Sequence, residues 1–184
     1  MSTAADGSPA PTLRAALDAV PAYTPGTPAS APGGVTAYNL SSRETPSPPL
    51  DSVRVVLDKA IDVVNRYPDM ASVDLVAAIA AFIGCGAENI AVGTGSVGIL
   101  GQIVQATCDA GDEIVFAWRS FEAYPIVAAL ADARAVMVPV DAGQRHQLGL
   151  MADAVSERTR VIIVCSPNNP TGTVVHRDEL EEFL

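Results

Sequence analysis

Three stretches of this 184-residue sequence carry groups that could do chemistry. The first is Val161-Ile162-Ile163-Val164-Cys165 running into Ser166-Pro167-Asn168-Asn169-Pro170-Thr171-Gly172. A β-branched apolar run that ends in amides and prolines reads as a buried parallel strand stopping at a loop. Open α/β sheets collect ligands at the carboxyl ends of such strands. The second is Gly93-Thr94-Gly95-Ser96-Val97-Gly98, just ahead of a helical pattern. A helix starting at Ser96 presents unpaired N–H groups and the positive end of its dipole, so Gly95, Ser96 and Val97 can hold a phosphate monoester. The third is Trp118-Arg119-Ser120-Phe121-Glu122-Ala123-Tyr124. Phe121 there could stack on a flat ring for about 0.5–1.5 kcal/mol, with Tyr124 in the core or behind it.

Each stretch also has a plainer reading. Asn-Pro pairs are common in strand-to-helix loops, glycines allow tight strand-to-helix packing, and aromatics at a helix start usually fill a core. The glycine turn further fits the G-x-G-x-x-G fingerprint of dinucleotide-binding oxidoreductases. That reading requires an acidic residue about 20 positions on, at the end of the second strand, to hold ribose hydroxyls. Asp112-Glu113 lies at the start of that strand and Ala117-Trp118-Arg119 at its end, so the requirement is not met.

These stretches need a sheet to position them. From Ile90 onward short β-branched runs alternate with helical ones, the pattern of a parallel sheet covered on both faces. Strands are expected at 90–92, 113–117, 135–140 and 161–165, with helices at 96–107, 121–131 and 150–156. Upstream, Asp51 is expected to cap a helix carrying Val53, Val56, Leu57, Ala60, Ile61 and Val64 on one face. It stops at Asn65-Arg66-Tyr67-Pro68-Asp69. A second helix, Val73 to Ile83, is apolar nearly all round and is expected to be buried. Residues 1–50 read as an N-terminal arm of loop and short helix (12–20), disordered from Met1 to about Ser8.

The formal charge of −10 argues against nucleic acid or an anionic membrane as partner. No apolar run is long enough to span a bilayer, and no basic-then-apolar leader opens the sequence. Cys85, Cys108 and Cys165 are odd in number, widely spaced and set among apolar residues, which suits buried thiols in a reducing, cytoplasmic compartment. His146 and His176 share no ligand spacing with them, and no metal site is expected.

Taken together, S-P-N-N-P-T-G, N-R-Y-P-D, the G-S-V turn and S-F-x-x-Y resemble, in order and spacing, the fold-type-I pyridoxal-phosphate-dependent aminotransferases, class I/II. The resemblance is to the histidinol-phosphate and aromatic amino acid group and extends over about Tyr23 to Leu184. It implies a three-layer α/β/α large domain with a mostly parallel sheet, present here in part (51–184). It also implies pyridoxal 5′-phosphate as cofactor. In that family the second Asn hydrogen-bonds the cofactor's ring hydroxyl, which carries over to Asn169. The glycine turn holds the phosphate, carrying over to Gly95, Ser96 and Val97, and the stacking ring is carried over to Phe121. The Tyr of N-R-Y-P-D, here Tyr67, reaches the cofactor phosphate of the other subunit, which implies a homodimer. Tyr23, in a Y-x-P-G segment, is the substrate-contact candidate.

The implied reaction moves an amino group from histidinol phosphate or an aromatic amino acid to 2-oxoglutarate. Two departures fall at Asn39 and Arg43, where the family's K-L-x-x-N-E-x-P element has Lys and Asn. The family's Schiff-base lysine, its pyridine-pairing Asp and its substrate Arg lie beyond Leu184. The sequence therefore reads as a truncated N-terminal portion, expected to be inactive alone. A non-catalytic fragment and, less well supported, a dinucleotide-binding domain stand as the alternatives.

Overall fold

A computed structural model describes residues 13–20, 30–38, 45 and 47–184. The segment Met1 to Ser8, Tyr23 and most of the Asn39-to-Pro46 element lie outside the described residues. The chain forms two compact units, one of Ala91–Leu184 with the segment up to Pro21, the other of Ala22–Ile90.

The first unit is built on a parallel three-stranded sheet in the order β2-β1-β3, with β1 at Glu113–Trp118, β2 at Arg134–Pro139 and β3 at Thr159–Ile163. Every residue of β1 from Glu113 to Ala117 is buried. Strand side chains alternate, so β1 serves two cores. Ile114 and Phe116 join Val104 of helix α3 (Gly95–Thr107) and Tyr124, Val127 and Ala128 of helix α4 (Ala123–Leu130). Val115 and Ala117 join Val138 and Met151 of helix α5 (Leu148–Asp153), with Phe183 of helix α6 (Arg177–Phe183) packed against them. Helices on both faces make three layers, as expected. This two-sided burial is why the strand reads as an unbroken apolar run. Glu113 is buried at the strand's start, where Ser156 Oγ donates to its carboxylate at 2.6 Å and Arg134 pairs with it at 3.2 Å.

Element edges differ from expectation for local reasons. β3 starts and ends earlier because its last register partner on β1 is Phe116↔Ile163, after which Val164 and Cys165 belong to the exit loop. Helix α4 starts at Ala123 because residues 119–122 are the exit loop of β1. The strand expected at 90–92 does not form. Those residues are extended at Ile90 (φ −114°, ψ 125°) but have no neighbouring strand among the described residues, and a strand exists only when paired. The expected N-terminal helix is a 3₁₀ turn, Ala15–Ala19, packed on α4.

The second unit holds helix α1 (Asp51–Ile61) and helix α2 (Val73–Ile83). Asp51 is the first helical residue rather than the cap, a position where its charge still favours the helix dipole. Asp69 is the residue that caps, its carboxylate accepting the N–H groups of Ala71 (3.0 Å) and Val73 (2.7 Å) at the start of α2. The expected burial of α2 is not observed. Only Ala80 is buried, while Phe82 is 92% exposed, because among the described residues only the short 87–89 turn makes appreciable contact with the helix. Nor are all the cysteines buried: Cys85, which follows α2, is exposed and Cys108 and Cys165 are half-buried. No helix among the described residues is long and apolar enough to cross a membrane.

Helix α6 depends on a titratable clamp. The His176 N–H donates to Glu179 at 2.7 Å, and Arg145 Nη2 reaches both Glu179 oxygens at 2.8 and 3.0 Å. That backbone N–H, followed by the guanidinium, holds the Glu179 carboxyl below its ordinary range. A depressed carboxyl pKa stabilises the fold above the unfolded value and loses that stabilisation as pH falls through the folded value. Glu179→Gln should therefore lower the melting temperature modestly at pH 7. The variant and parent curves should converge as pH falls through the lowered folded value, as circular-dichroism melts at several pH values will read.

Candidate functional site

The carboxyl ends of all three strands open on the same side of the sheet, because the strands are parallel. β1 exits into Arg119-Ser120-Phe121, β2 toward Gln144 and β3 into Ser166-Pro167-Asn168-Asn169. The Ser166–Pro167, Asn169–Pro170 and Trp118–Arg119 peptide bonds are cis.

The β3 loop is tied to both others. Asn168 is 1% exposed and Ser120 2%. Ser120 Oγ donates to Asn168 Oδ1 at 2.6 Å, and Asn168 Nδ2 donates to the Arg119 carbonyl at 3.0 Å and to Thr171 Oγ1 at 2.8 Å. Thr171 and Thr173 hydroxyls lie 2.9 Å apart, and Thr173 donates onward to the Gln144 carbonyl at 2.8 Å. Asn169, next along the chain, is half-buried and its side chain makes no hydrogen bond among the described residues. The two amides thus divide the labour. One is consumed inside the protein and the other is left available.

Phe121 is half-buried and stands edge-on to Tyr124, ring centroids 5.7 Å apart at 89°. Tyr124 is in turn edge-on to Phe116 at 5.5 Å, so the exit-loop aromatic is propped by the core. Burial, and then contact with Cys165, push the Tyr124 hydroxyl well above its usual pKa, although the Ser120 hydroxyl acts the other way. Tyr124 packs in the core between Phe116 and Phe121. Arg119 extends its guanidinium over the Trp118 ring, 4.6 Å from the centroid.

Helix α3 delivers the glycine turn to this end of the sheet. It hands over to β1 through residues 108–112, so its last turn lies at the strands' amino ends and its first turn toward their carboxyl ends. Its first residues Gly95, Ser96 and Val97 are exposed, and Thr94 at the cap position makes no side-chain cap bond. The opening N–H groups of a helix have no partner within it. The three glycines of the turn have separate reasons. A Cβ on Gly93 would meet Ile99 Cδ1 at 2.9 Å and one on Gly98 would meet Thr94 Oγ1 at 2.7 Å, which is close packing. Gly95 has φ +77° with nothing within 4 Å of a built Cβ, so it supplies conformation and leaves open room. A phosphate monoester fits these donors by charge and space.

The dinucleotide reading fails in space as in sequence. The acidic pair Asp112-Glu113 sits at the amino end of β1, with Glu113 committed to Arg134 and Ser156 and Asp112 to Arg160. Tyr67 belongs to the other unit, where it is 93% exposed between α1 and the Asp69 cap. Tyr23 lies outside the described residues. Sequence reasoning carried Asn169 as a ligand group but gave Asn168 and Ser120 no role. No local pattern marked them, since the contact between them joins two exit loops.

A model of the family "Aminotransferase class I and II" matches residues 36–184. The aromatic amino acid aminotransferase of Streptomyces coelicolor is 53% identical over 174 residues, covering 95% of this chain and 48% of that protein. That of Corynebacterium jeikeium is 50% identical over 172 residues, covering 94% and 44%. Among solved structures, histidinol-phosphate aminotransferase from Sinorhizobium meliloti in complex with pyridoxal-5′-phosphate aligns at TM-score 0.69 and 29% identity, over 73% of this chain and 37% of that one. Aspartate aminotransferase from Rhizobium meliloti, at TM-score 0.71 and 24% identity over 78% and 38%, shares the fold. The chain spans about half the length of the curated relatives it matches. By the family match over most of its length and by the architecture it shares with these structures, this chain belongs to the class I and II aminotransferases.

Proposed function

We propose that this chain is the cofactor-binding portion of a pyridoxal 5′-phosphate-dependent aminotransferase acting on aromatic amino acids or histidinol phosphate. The observation that carries the reading is the available Asn169 amide on the β3 exit loop, with the Phe121 ring on the β1 exit loop and the glycine-led start of α3 toward the same end of the sheet. Support for the substrate class comes from the relatives at 53% and 50% identity, which are named aromatic amino acid aminotransferases.

Bound pyridoxal phosphate supplies an electron sink and carries the amino group between donor and 2-oxo acid. The chain's residues bind and orient. Backbone N–H groups at Gly95, Ser96 and Val97 take the phosphate, where the dipole of α3 favours its charge. Phe121 covers one face of the ring, and the Asn169 amide donates to the ring hydroxyl. Tyr67 reaches the phosphate held by a second copy in a homodimer, and Tyr23 contacts the amino donor. The chain itself contributes no catalytic base. A cytoplasmic location is part of the proposal, in keeping with three unpaired cysteines.

Asn169→Ala tests the reading. A neutral hydrogen bond contributes about 0.5–1.5 kcal/mol, so pyridoxal phosphate affinity should fall about two- to tenfold. Trp118 is the one tryptophan and ends β1, so quenching of its fluorescence reports the titration. An unchanged affinity would remove Asn169 from the site. In a full-length protein containing this chain, a donor screen with 2-oxoglutarate should favour phenylalanine, tyrosine or histidinol phosphate over aspartate and alanine.

A further inference from the structure

We propose that Asn168 is a positioning residue of the cofactor crevice. Its buried amide fixes the loop that carries Asn169 against the loop that carries Phe121. The inference rests on the cofactor reading above and concerns a residue that touches no ligand.

The hydrogen-bond inventory of Asn168 is complete. Its side-chain oxygen accepts from Ser120 and its two amide hydrogens go to the Arg119 carbonyl and to Thr171. Its backbone N–H donates to the Thr173 carbonyl at 2.8 Å and its own carbonyl accepts from the Gly172 N–H at 2.7 Å. With every polar group engaged and 1% of its surface exposed, Asn168 has nothing left for a ligand.

The orientation of the network is determined as well. The Arg119 carbonyl can only accept, which sets which end of the amide faces it. The Thr173 hydroxyl spends its hydrogen on the Gln144 carbonyl, so Thr171 donates to Thr173 and accepts from Asn168. The result is one directed chain from the β1 loop through the β3 loop to the β2 loop. Asp would keep the Ser120 contact but would bring a carboxylate against the Arg119 carbonyl. The network therefore specifies Asn, not merely a small polar residue. Because Asn169 follows Asn168 directly, fixing the latter limits where the Asn169 amide can point. Because Ser120 and Arg119 flank the approach to Phe121, the same bonds set where that ring stands. Groups held in place before binding avoid the ordering cost of binding.

A double-mutant cycle on pyridoxal phosphate affinity, read by Trp118 fluorescence with a thermal melt of each variant, tests this. If Asn168 acts through Asn169, Asn168→Ala should weaken binding about two- to tenfold. The double variant should then lose less affinity than the product of the two single losses. Ser120→Ala, which removes one bond and leaves the rest of the network, should weaken binding in the same non-additive way, and Ser120→Thr, which restores the hydroxyl, should recover it. Ser120→Ala carries the test if Asn168→Ala does not fold. Multiplying losses in the double variant, or full affinity in Asn168→Ala or Ser120→Ala, would overturn the proposal while leaving the cofactor reading in place. An Asn169→Ala variant that binds as the parent does would overturn both.

Discussion

No amino transfer should be detectable from this 184-residue chain, and no stoichiometric covalent capture of pyridoxal phosphate. The chemistry needs an amine that bonds to the cofactor's aldehyde and is then free to move the substrate's α-proton. The sequence contains one lysine, Lys59. It lies exposed in the last turn of α1, a helix with no buried residue, in the unit of Ala22–Ile90. Nothing around the exposed side chain supplies the desolvation that activates a lysine as a nucleophile. Borohydride reduction after incubation with pyridoxal phosphate, followed by peptide mass mapping, should label Lys59 no more than an exposed lysine of an unrelated protein. Stoichiometric label with measurable amino transfer would contradict the assignment of the site.

Gly95→Val should cost the chain most of its affinity for pyridoxal phosphate. The residue sits at φ +77° at the start of α3, a conformation that strains a β-branched side chain by about 1–3 kcal/mol. The helix start must then either carry that strain or shift, and the Cβ branches would enter the open space beside the exposed N–H groups. At 1.4 kcal/mol per decade, a loss of about five- to a hundredfold in affinity is expected. Gly101→Ala is the control on the same helix. Its Cβ meets nothing within 4 Å, and removing a mid-helix glycine should stabilise by about 0.5–1 kcal/mol with affinity unchanged. Equal affinities for the two variants would mean the phosphate is held elsewhere.

The sheet was legible because β1 is buried on both faces and β2 and β3 are short apolar runs, although β3, expected to be buried, alternates half-buried and exposed residues because it pairs only with β1 among the described residues. The exit loops were legible too, since Ser166 to Gly172 and Arg119 to Glu122 follow from where the runs stop. What local pattern could not supply was pairing. Ile90 is extended but residues 90–92 have no partner strand among the described residues, and α2 is apolar nearly all round yet largely exposed, because pairing and coverage depend on neighbours distant in sequence. The same limit hid Asn168. Its place in the motif marked the loop, but its role lies in the contact with Ser120, 48 residues away. Asp69, legible as part of a motif, proved to be the cap of α2.

Pyridoxal phosphate is proposed to bind at the carboxyl ends of this sheet, against Gly95 to Val97, Phe121 and Asn169. A crystal structure of the protein grown with that compound tests it most directly. Expected are phosphate oxygens on the N–H groups of Ser96 and Val97, the ring flat on Phe121, and the Asn169 amide donating to the ring hydroxyl, with Asn168 still bonded to Ser120. A cofactor bound away from the start of α3, or an Asn169 side chain turned from the ring, would contradict it.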